Sequence, residues 1–247
     1  MFEADRGALL DTYCRLADQP DDARRVGWPA RWVQQLAFEM LAGIADLRRA
    51  EVLDVGCGLG DFYGYLAARG FAGVYRGVDL SPAFVAEARA RYPGASFAVV
   101  DVLAEGVAPA DYVIASGLFD VRTPGSPAML RAVLARLFDL ARCGLAWNLF
   151  LDPPTPDQYS EPPGALIDFC AALTPHVAFR TDYNLNHATF YLYRREAFFS
   201  TESRALAGRL FLEPALRRRL ATQPEVLAAE YGLSLRELSF LMAAAEA

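Results

Sequence analysis

Leu9, Leu10, Tyr13 and Leu16, and then Trp32, Leu36, Phe38, Leu41 and Ile44, recur at the three- and four-residue spacing of helices that bury one face. They predict helical structure over residues 7–49, with a break at Gly27-Trp28-Pro29. The pattern then changes. Residues 51–55 are a short apolar run ending in a glycine cluster, as a buried parallel strand does. Further strands are predicted over 74–79, 97–100, 112–116 and 144–150. Helices are predicted between them over about 61–69, 81–91 and 127–141. Ser81-Pro82 supplies an N-cap followed by proline at the first helical position. A proline-rich loop, 152–163, precedes a helix near 165–173 and two last strands, about 177–183 and 188–193.

Strands alternating with helices predict an α/β fold with a doubly wound, mostly parallel sheet and right-handed crossovers. The 184–186 link between the last two strands is short enough to permit only antiparallel pairing. The tail reads as helices with strong punctuation. Glu213-Pro214 and Gln223-Pro224 look like helix starts, Gly232 like a stop, and Ser234-Leu235-Arg236-Glu237 like a capping box. Three stretches result: a helical cap (1–49), a sheet domain (50–194) and a helical extension (195–247).

Composition narrows the function. The 247 residues are 54% hydrophobic and 22% charged, which suits a packed core. A net charge of −6 and a pI near 5.0 argue against a nucleic-acid surface held by bulk electrostatics. All 24 basic residues are arginine, which removes a Schiff-base lysine and a Walker A motif. Cys14, Cys57, Cys143 and Cys170 form no Cys-x-x-Cys pair, and His176 and His187 complete no zinc pattern, so no metal site is expected. No signal-peptide core and no apolar run of about 18 residues is present, so the expectation is a cytoplasmic protein with no membrane span.

The informative stretch is Leu53-Asp54-Val55-Gly56-Cys57-Gly58-Leu59-Gly60-Asp61. A buried strand feeds a turn with glycines at 56, 58 and 60 and then a helix. A crevice at the carboxyl ends of parallel strands is the usual ligand site in such sheets. Asp79 closes the second strand, where a carboxylate can accept hydrogen bonds from ribose hydroxyls. Asp101 follows the third strand, within reach of an adenine edge. The dinucleotide fingerprint is Gly-x-Gly-x-x-Gly with a pyrophosphate on the helix N-terminus. Here the third glycine is displaced, and Asp54 and Asp61 flank the loop. Two carboxylates there suit an ammonium and a sulfonium better than a pyrophosphate. That favours S-adenosylmethionine (SAM) over NAD.

On these residues the chain resembles the class I SAM-dependent methyltransferases over about residues 50–194. Leu53–Gly60 matches the family's first motif, Gly77-Val78-Asp79-Leu80-Ser81 its second, Val100-Asp101-Val102-Leu103 its third and Tyr112–Gly117 its fourth. The resemblance implies a seven-stranded sheet in the order 3-2-1-4-5-7-6 with strand 7 antiparallel. It implies SAM as methyl donor and S-adenosylhomocysteine (SAH) as product. The implied cofactor-binding residues are Asp54, Gly56, Cys57, Gly58 and Gly60 around the amino-acid end, and Asp79 on the ribose. Leu80 would pack on the adenine, Asp101 and Val102 would meet its edge, and Ser116 and Gly117 would floor the methyl side.

Methyl transfer is an in-line displacement, so aligning the acceptor supplies much of the acceleration and no fixed catalytic residue is demanded. Tyr183 and Asn148 sit at predicted strand ends on the substrate side and are expected to orient the acceptor. His187, at the final hairpin, is the remaining catalytic candidate, although a surface or structural role suits it better. His176 reads as structural. Trp28 is placed to wall the site or simply to pack. Asp152-Pro153-Pro154-Thr155 follows strand 5 and has Thr in place of an aromatic, so it is not the Asp/Asn-Pro-Pro-Tyr motif of amino-group methyltransferases of nucleic acids. The expected function is methylation of a small-molecule or peptide acceptor. The alternatives are a SAM-binding scaffold acting through its tail and an NAD-dependent oxidoreductase. The tail is similar to the small helical leader-like modules of some modified-peptide precursors. It is a candidate cap, homodimer element or partner-recruiting surface.

Overall fold

The structure is a computed structural model that describes all residues except 1, 105, 153–154, 184–185, 195–205, 207–208, 210–212, 235–236, 239–240 and 243–247. The chain divides into two compact units, residues 1–194 and 195–247.

In the first unit, α1 (Glu3–Leu16), α2 (Asp22–Arg25) and α3 (Arg31–Ala42) precede β1 (Glu51–Val55). Then follow α4 (Asp61–Ala67), β2 (Val74–Asp79), α5 (Pro82–Arg91), β3 (Ser96–Val99) and β4 (Ala110–Ala115). The unit ends with α6 (Ser126–Leu140), β5 (Ala141–Phe150), α7 (Pro163–Leu173), β6 (Val177–Arg180) and β7 (His187–Tyr193). The seven strands form one sheet in the order β3-β2-β1-β4-β5-β7-β6. β1 to β5 pair in parallel, and β7 runs antiparallel to both β5 and β6. This is the expected fold. The order reverses at β1/β4, so the ends of those strands open the crevice that carries the glycine turn.

The central strands are buried on both faces, as their continuous apolar runs require. Leu53, Val113 and Leu145 lie at the heart of the core with Leu134 and Leu137 of α6. Trp147 stacks on Phe190 at 4.5 Å across β5 and β7. Burying each of these large side chains contributes about 1.5–3 kcal/mol.

The N-terminal helices differ from expectation in two respects. The first segment breaks a second time, because the Asp21 side chain accepts from the N–H groups of Ala23 (2.9 Å) and Arg24 (3.3 Å) and starts a new helix. Trp32 does not belong to the buried stripe of α3. It is 70% exposed, while Val33, Ala37, Phe38 and Leu41 face inward. β6 is shorter than expected and ends at Arg180, whose guanidinium turns back onto Asp182.

The second unit contains α8 (Pro214–Thr222) and α9 (Pro224–Tyr231). Leu206, Leu216, Leu220, Leu227, Leu238 and Leu241 form its own core. Gly232 ends α9 in the left-handed region at φ 63°. The capping box is formed. Ser234 Oγ accepts from Glu237 N, and the Glu237 carboxylate accepts from Ser234 N at 2.9 Å. No helix among the described residues is long and apolar enough to cross a membrane.

Candidate functional site

β1 enters the turn with Gly56 at φ 76° and Gly58 at φ 51°, conformations that favour glycine. A Cβ on Gly56 would lie 2.8 Å from Leu118, and one on Gly58 would lie 2.9 Å from Val26, so both walls close on bare backbone. The turn spends its donors internally. Gly56 N and Cys57 N both donate to Val78 O (2.8 and 3.1 Å), and Gly58 N donates to Asp79 Oδ2 (2.9 Å). Gly60 N donates to Cys57 O (2.9 Å). With those four N–H groups consumed, the turn offers no row of donors to a pyrophosphate. Gly60 requires a correction. It faces away from the crevice, where its Cβ would meet Tyr92 and Phe97 at 2.9–3.0 Å. Its left-handed φ of 81° starts α4, so its role is packing and entry geometry rather than ligand contact.

Three acids expected at the cofactor line one cleft, together with Asp61. Asp79 holds the turn and the next helix together. Its Oδ2 accepts from Gly58 N and its Oδ1 from Ser81 N (2.8 Å). Burial raises its pKa against hydrogen bonds from the N–H groups of Ser81, Gly58 and Leu80. Asp54 is buried and accepts a hydrogen bond from the Tyr75 hydroxyl. Burial, with the charges of Asp79 and Asp61 adding to it, pushes its carboxyl up to about 7. Asp61 accepts from Gln34 Nε2 at 3.1 Å, and burial raises it too. The cleft encloses about 1200 Å³ including its mouth.

Leu80, Phe84, Val102 and Leu103 form an apolar wall beyond Asp79. Asp101 Oδ1 caps its own turn by accepting from Leu103 N (2.9 Å), while Oδ2 pairs with Arg6 of α1 at 2.7 Å. The expected adenine-edge acid is therefore engaged by a guanidinium. α1 roofs the cleft with Phe2, Arg6, Leu9, Leu10 and Tyr13, and Trp28 walls it. Asp5 anchors α1 by accepting from Gly125 N at 2.7 Å, and hydrogen bonds from Thr123 and Gly125 hold its carboxyl below the usual range.

Ser116 and Gly117 reach the cleft from the end of β4, and Cys57 lines it from the turn. The three residues expected to act on the acceptor do not line it, which corrects their placement. Asn148 is fully buried and acts through the loop: its Oδ1 accepts from Gly117 N at 2.8 Å. The Tyr183 hydroxyl is hydrogen-bonded to Thr189 Oγ1 at 2.6 Å, and burial pushes the phenol up to about 12. His187 is buried, not on the surface. Its ring stacks on Phe150 at 4.2 Å and lies 5.4 Å from Trp28, and its Nε2 is 3.9 Å from Asp120 Oδ2. Asn148 thus touches Gly117 and His187 touches Trp28.

Sequence reasoning passed over Arg6, Tyr13 and Asp120. The apolar stripe of α1 was visible, but nothing local said that this face would roof a ligand cleft. Burial raises the Tyr13 phenol, and the charges of Asp120 and Asp79 raise it further.

The comparisons with known proteins agree with this geometry. Residues 52–141 match the family model described as a methyltransferase domain. A Mycobacterium tuberculosis protein, provisionally named a methyltransferase, is 35% identical over 146 residues, which cover 55% of this chain and 88% of that protein. Among solved structures, the SAM complex of magnesium protoporphyrin IX methyltransferase from Synechocystis is 18% identical with a TM-score of 0.56 over 77% of this chain and 97% of that one. The SAH complex of the N-methyltransferase NodS from Bradyrhizobium japonicum is 13% identical with a TM-score of 0.58 over 76% of this chain and all (100%) of that one. At these identities the two structures are similar in fold. Sheet order, glycine turn and sequence relationship together lead to one conclusion: the chain belongs to the class I SAM-dependent methyltransferases.

Proposed function

We propose that the protein methylates a small-molecule or peptide acceptor held on the Ser116–Trp28 side of the cleft. The observation that carries this reading is the joining of the glycine turn, Asp79, Asp101 and the β4 end around a single cleft under α1. The donor set fits SAM. Asp79 lines the cleft where ribose hydroxyls can reach its carboxylate, Asp54 is a buried acid available to an ammonium, and Ser116 Oγ is buried without a partner. When bound, SAM supplies a methyl carbon on a positive sulfur.

The chain's own residues then have four tasks. Asp79 grips the ribose and fixes its depth. Leu80 and Val102 enclose the base, and Asp101 receives the base's exocyclic amine once Arg6 releases it. The backbone at Gly56 and Gly58, which lines the cleft between Leu118 and Val26, flanks the amino-acid end. α1 and Trp28 exclude water, which strengthens every charge interaction inside. A non-catalytic scaffold needs no covered methyl side, and nothing favours it here.

The test is titration of the purified chain with SAM and SAH by calorimetry. Binding in a one-to-one ratio is expected. Absence of binding to both would end the proposal.

A further inference from the structure

The inward stripe of α1 faces the cleft. Arg6, Leu9, Leu10 and Tyr13, with Phe2 before them, all line it. The one buried residue of α1 is a carboxylate, Asp5. By contrast, α3 buries Val33, Gln34, Ala37, Phe38 and Leu41. Phe2 and Leu9 are only partly buried against the main core. A helix ordinarily owes its place to an apolar face packed on its neighbours. Here polar contacts at the two ends of α1 supply much of the hold.

At the N-terminal end, Asp5 Oδ1 accepts from Gly125 N at 2.7 Å. A Cβ on Gly125 would lie 2.9 Å from Asp5 Oδ2, so the carboxylate sits directly on the backbone before α6. A hydrogen bond from Thr123 adds to it. Arg6 pairs with Asp101 at 2.7 Å. At the C-terminal end, Arg25 Nε donates to Ala17 O at 3.0 Å. Arg25 is itself fixed, since its guanidinium meets both oxygens of Glu87 on α5 (2.7 and 3.0 Å) and Asp22 (3.1 Å). Arg91 closes the network by pairing with Asp22 at 2.9 Å and with Glu87. α2 stays with α3, because Ala23 packs with Trp28, Val33 and Ala37. The 17–21 link is thus the point about which α1 can turn away.

We propose that α1 is a lid, latched by Asp5 at one end and Arg25 at the other, that must open for the cofactor to enter or leave. This rests on the SAM reading of the cleft. The roof runs from Asp101, where Arg6 sits, to Phe84, which Tyr13 meets edge-on at 6.0 Å. A nucleoside gripped by Asp79 lies under that span, so entry and exit share one gate. The Arg6 pair is given up when Asp101 takes the base, and the hold on the lid then passes to Asp5 and Arg25. The Arg25–Glu87 pair is part-exposed, so salt screens it.

Neither Asp5 nor Arg25 is among the residues lining the cleft, so Asp5→Ala and Arg25→Ala test the latches without touching the ligand. Association and dissociation of SAH are followed by stopped-flow tryptophan fluorescence, with Trp28 in the cleft wall. A gate slows both directions alike. Each variant should therefore raise both rate constants together, by about fivefold or more, and keep the calorimetric dissociation constant within about twofold. Raising sodium chloride from about 0.05 M to about 0.5 M should speed both rates in the native chain and much less in Arg25→Ala. Native rates in both variants would overturn the proposal. So would faster dissociation alone with affinity lost in proportion, the mark of a damaged site. Absence of SAH binding to the native chain would strike the cofactor reading first, and the lid with it.

Discussion

Asp79 carries two loads, and its replacement by alanine separates them. Its two oxygens accept from Gly58 N (2.9 Å) and Ser81 N (2.8 Å), tying the glycine turn to the start of α5. A hydrogen bond to a charged acceptor contributes roughly 1.5–3 kcal/mol, so losing both costs on the order of 3–6 kcal/mol. Part of that returns, because burial disfavours this carboxylate's charge and raises its pKa. The net loss should be about 2–4 kcal/mol, which leaves a domain with ordinary stability folded. The ligand loses two further bonds, worth about 1–3 kcal/mol together, which weakens SAH by roughly 5- to 150-fold. Urea denaturation reads the first effect and calorimetric titration with SAH the second. A folded Asp79→Ala chain that binds SAH within about twofold of the native affinity would refute the assignment of the ribose to this acid.

Asp54 predicts a pH dependence. Its folded-state pKa, pushed up to about 7, lies above the unfolded value near 3.8. Between those values the folded state binds more protons, so stability should fall as pH rises through this window, by up to a few kcal/mol. Urea midpoints at pH 5 and pH 8.5 should differ more for the native chain than for Asp54→Asn, and parallel profiles would contradict this. Arg6→Ala removes a part-exposed ion pair worth about 0–1 kcal/mol. It should leave thermal stability nearly unchanged and strengthen SAH binding by freeing Asp101, whereas weakened binding would show that Arg6 itself holds the ligand. Gly60→Ala forces a side chain into a left-handed position against Tyr92 and Phe97. It should destabilise the fold by about 1–3 kcal/mol, read by thermal melting, and any folded fraction should bind SAH normally. A chain ending at residue 194 should still bind SAH in calorimetry, because residues 195–247 bury their own leucine core.

The doubly wound sheet was legible because strands alternate with helices, and the 184–186 link left the last two strands one way to pair; the order of the strands came from the family resemblance alone. The turn was legible because positive φ at Gly56 and Gly58 writes itself as glycine. Gly60 looked the same in sequence, yet its φ serves α4 and the Tyr92–Phe97 packing. A glycine records a conformation, not the direction it faces. What covers the cleft was not legible. Arg6 reaches Asp101 across 95 positions of chain, and Asp5 reaches Gly125 across 120. Only the folded sheet brings those partners together. Asn148 and His187 were rightly put near the ends of β5 and β7, whereas Tyr183 lies past the end of β6, which stops at Arg180. Strand position alone did not reveal that Asn148 is spent on Gly117 N–H and that His187 packs against Trp28.

The most direct test of the account is a crystal structure of the chain with SAH. The ribose hydroxyls should lie within hydrogen-bond distance of Asp79, the adenine between Leu80 and Val102, and the thioether should face Ser116 and Gly117. A nucleoside bound elsewhere, or one whose sugar leaves Asp79 untouched, would contradict it.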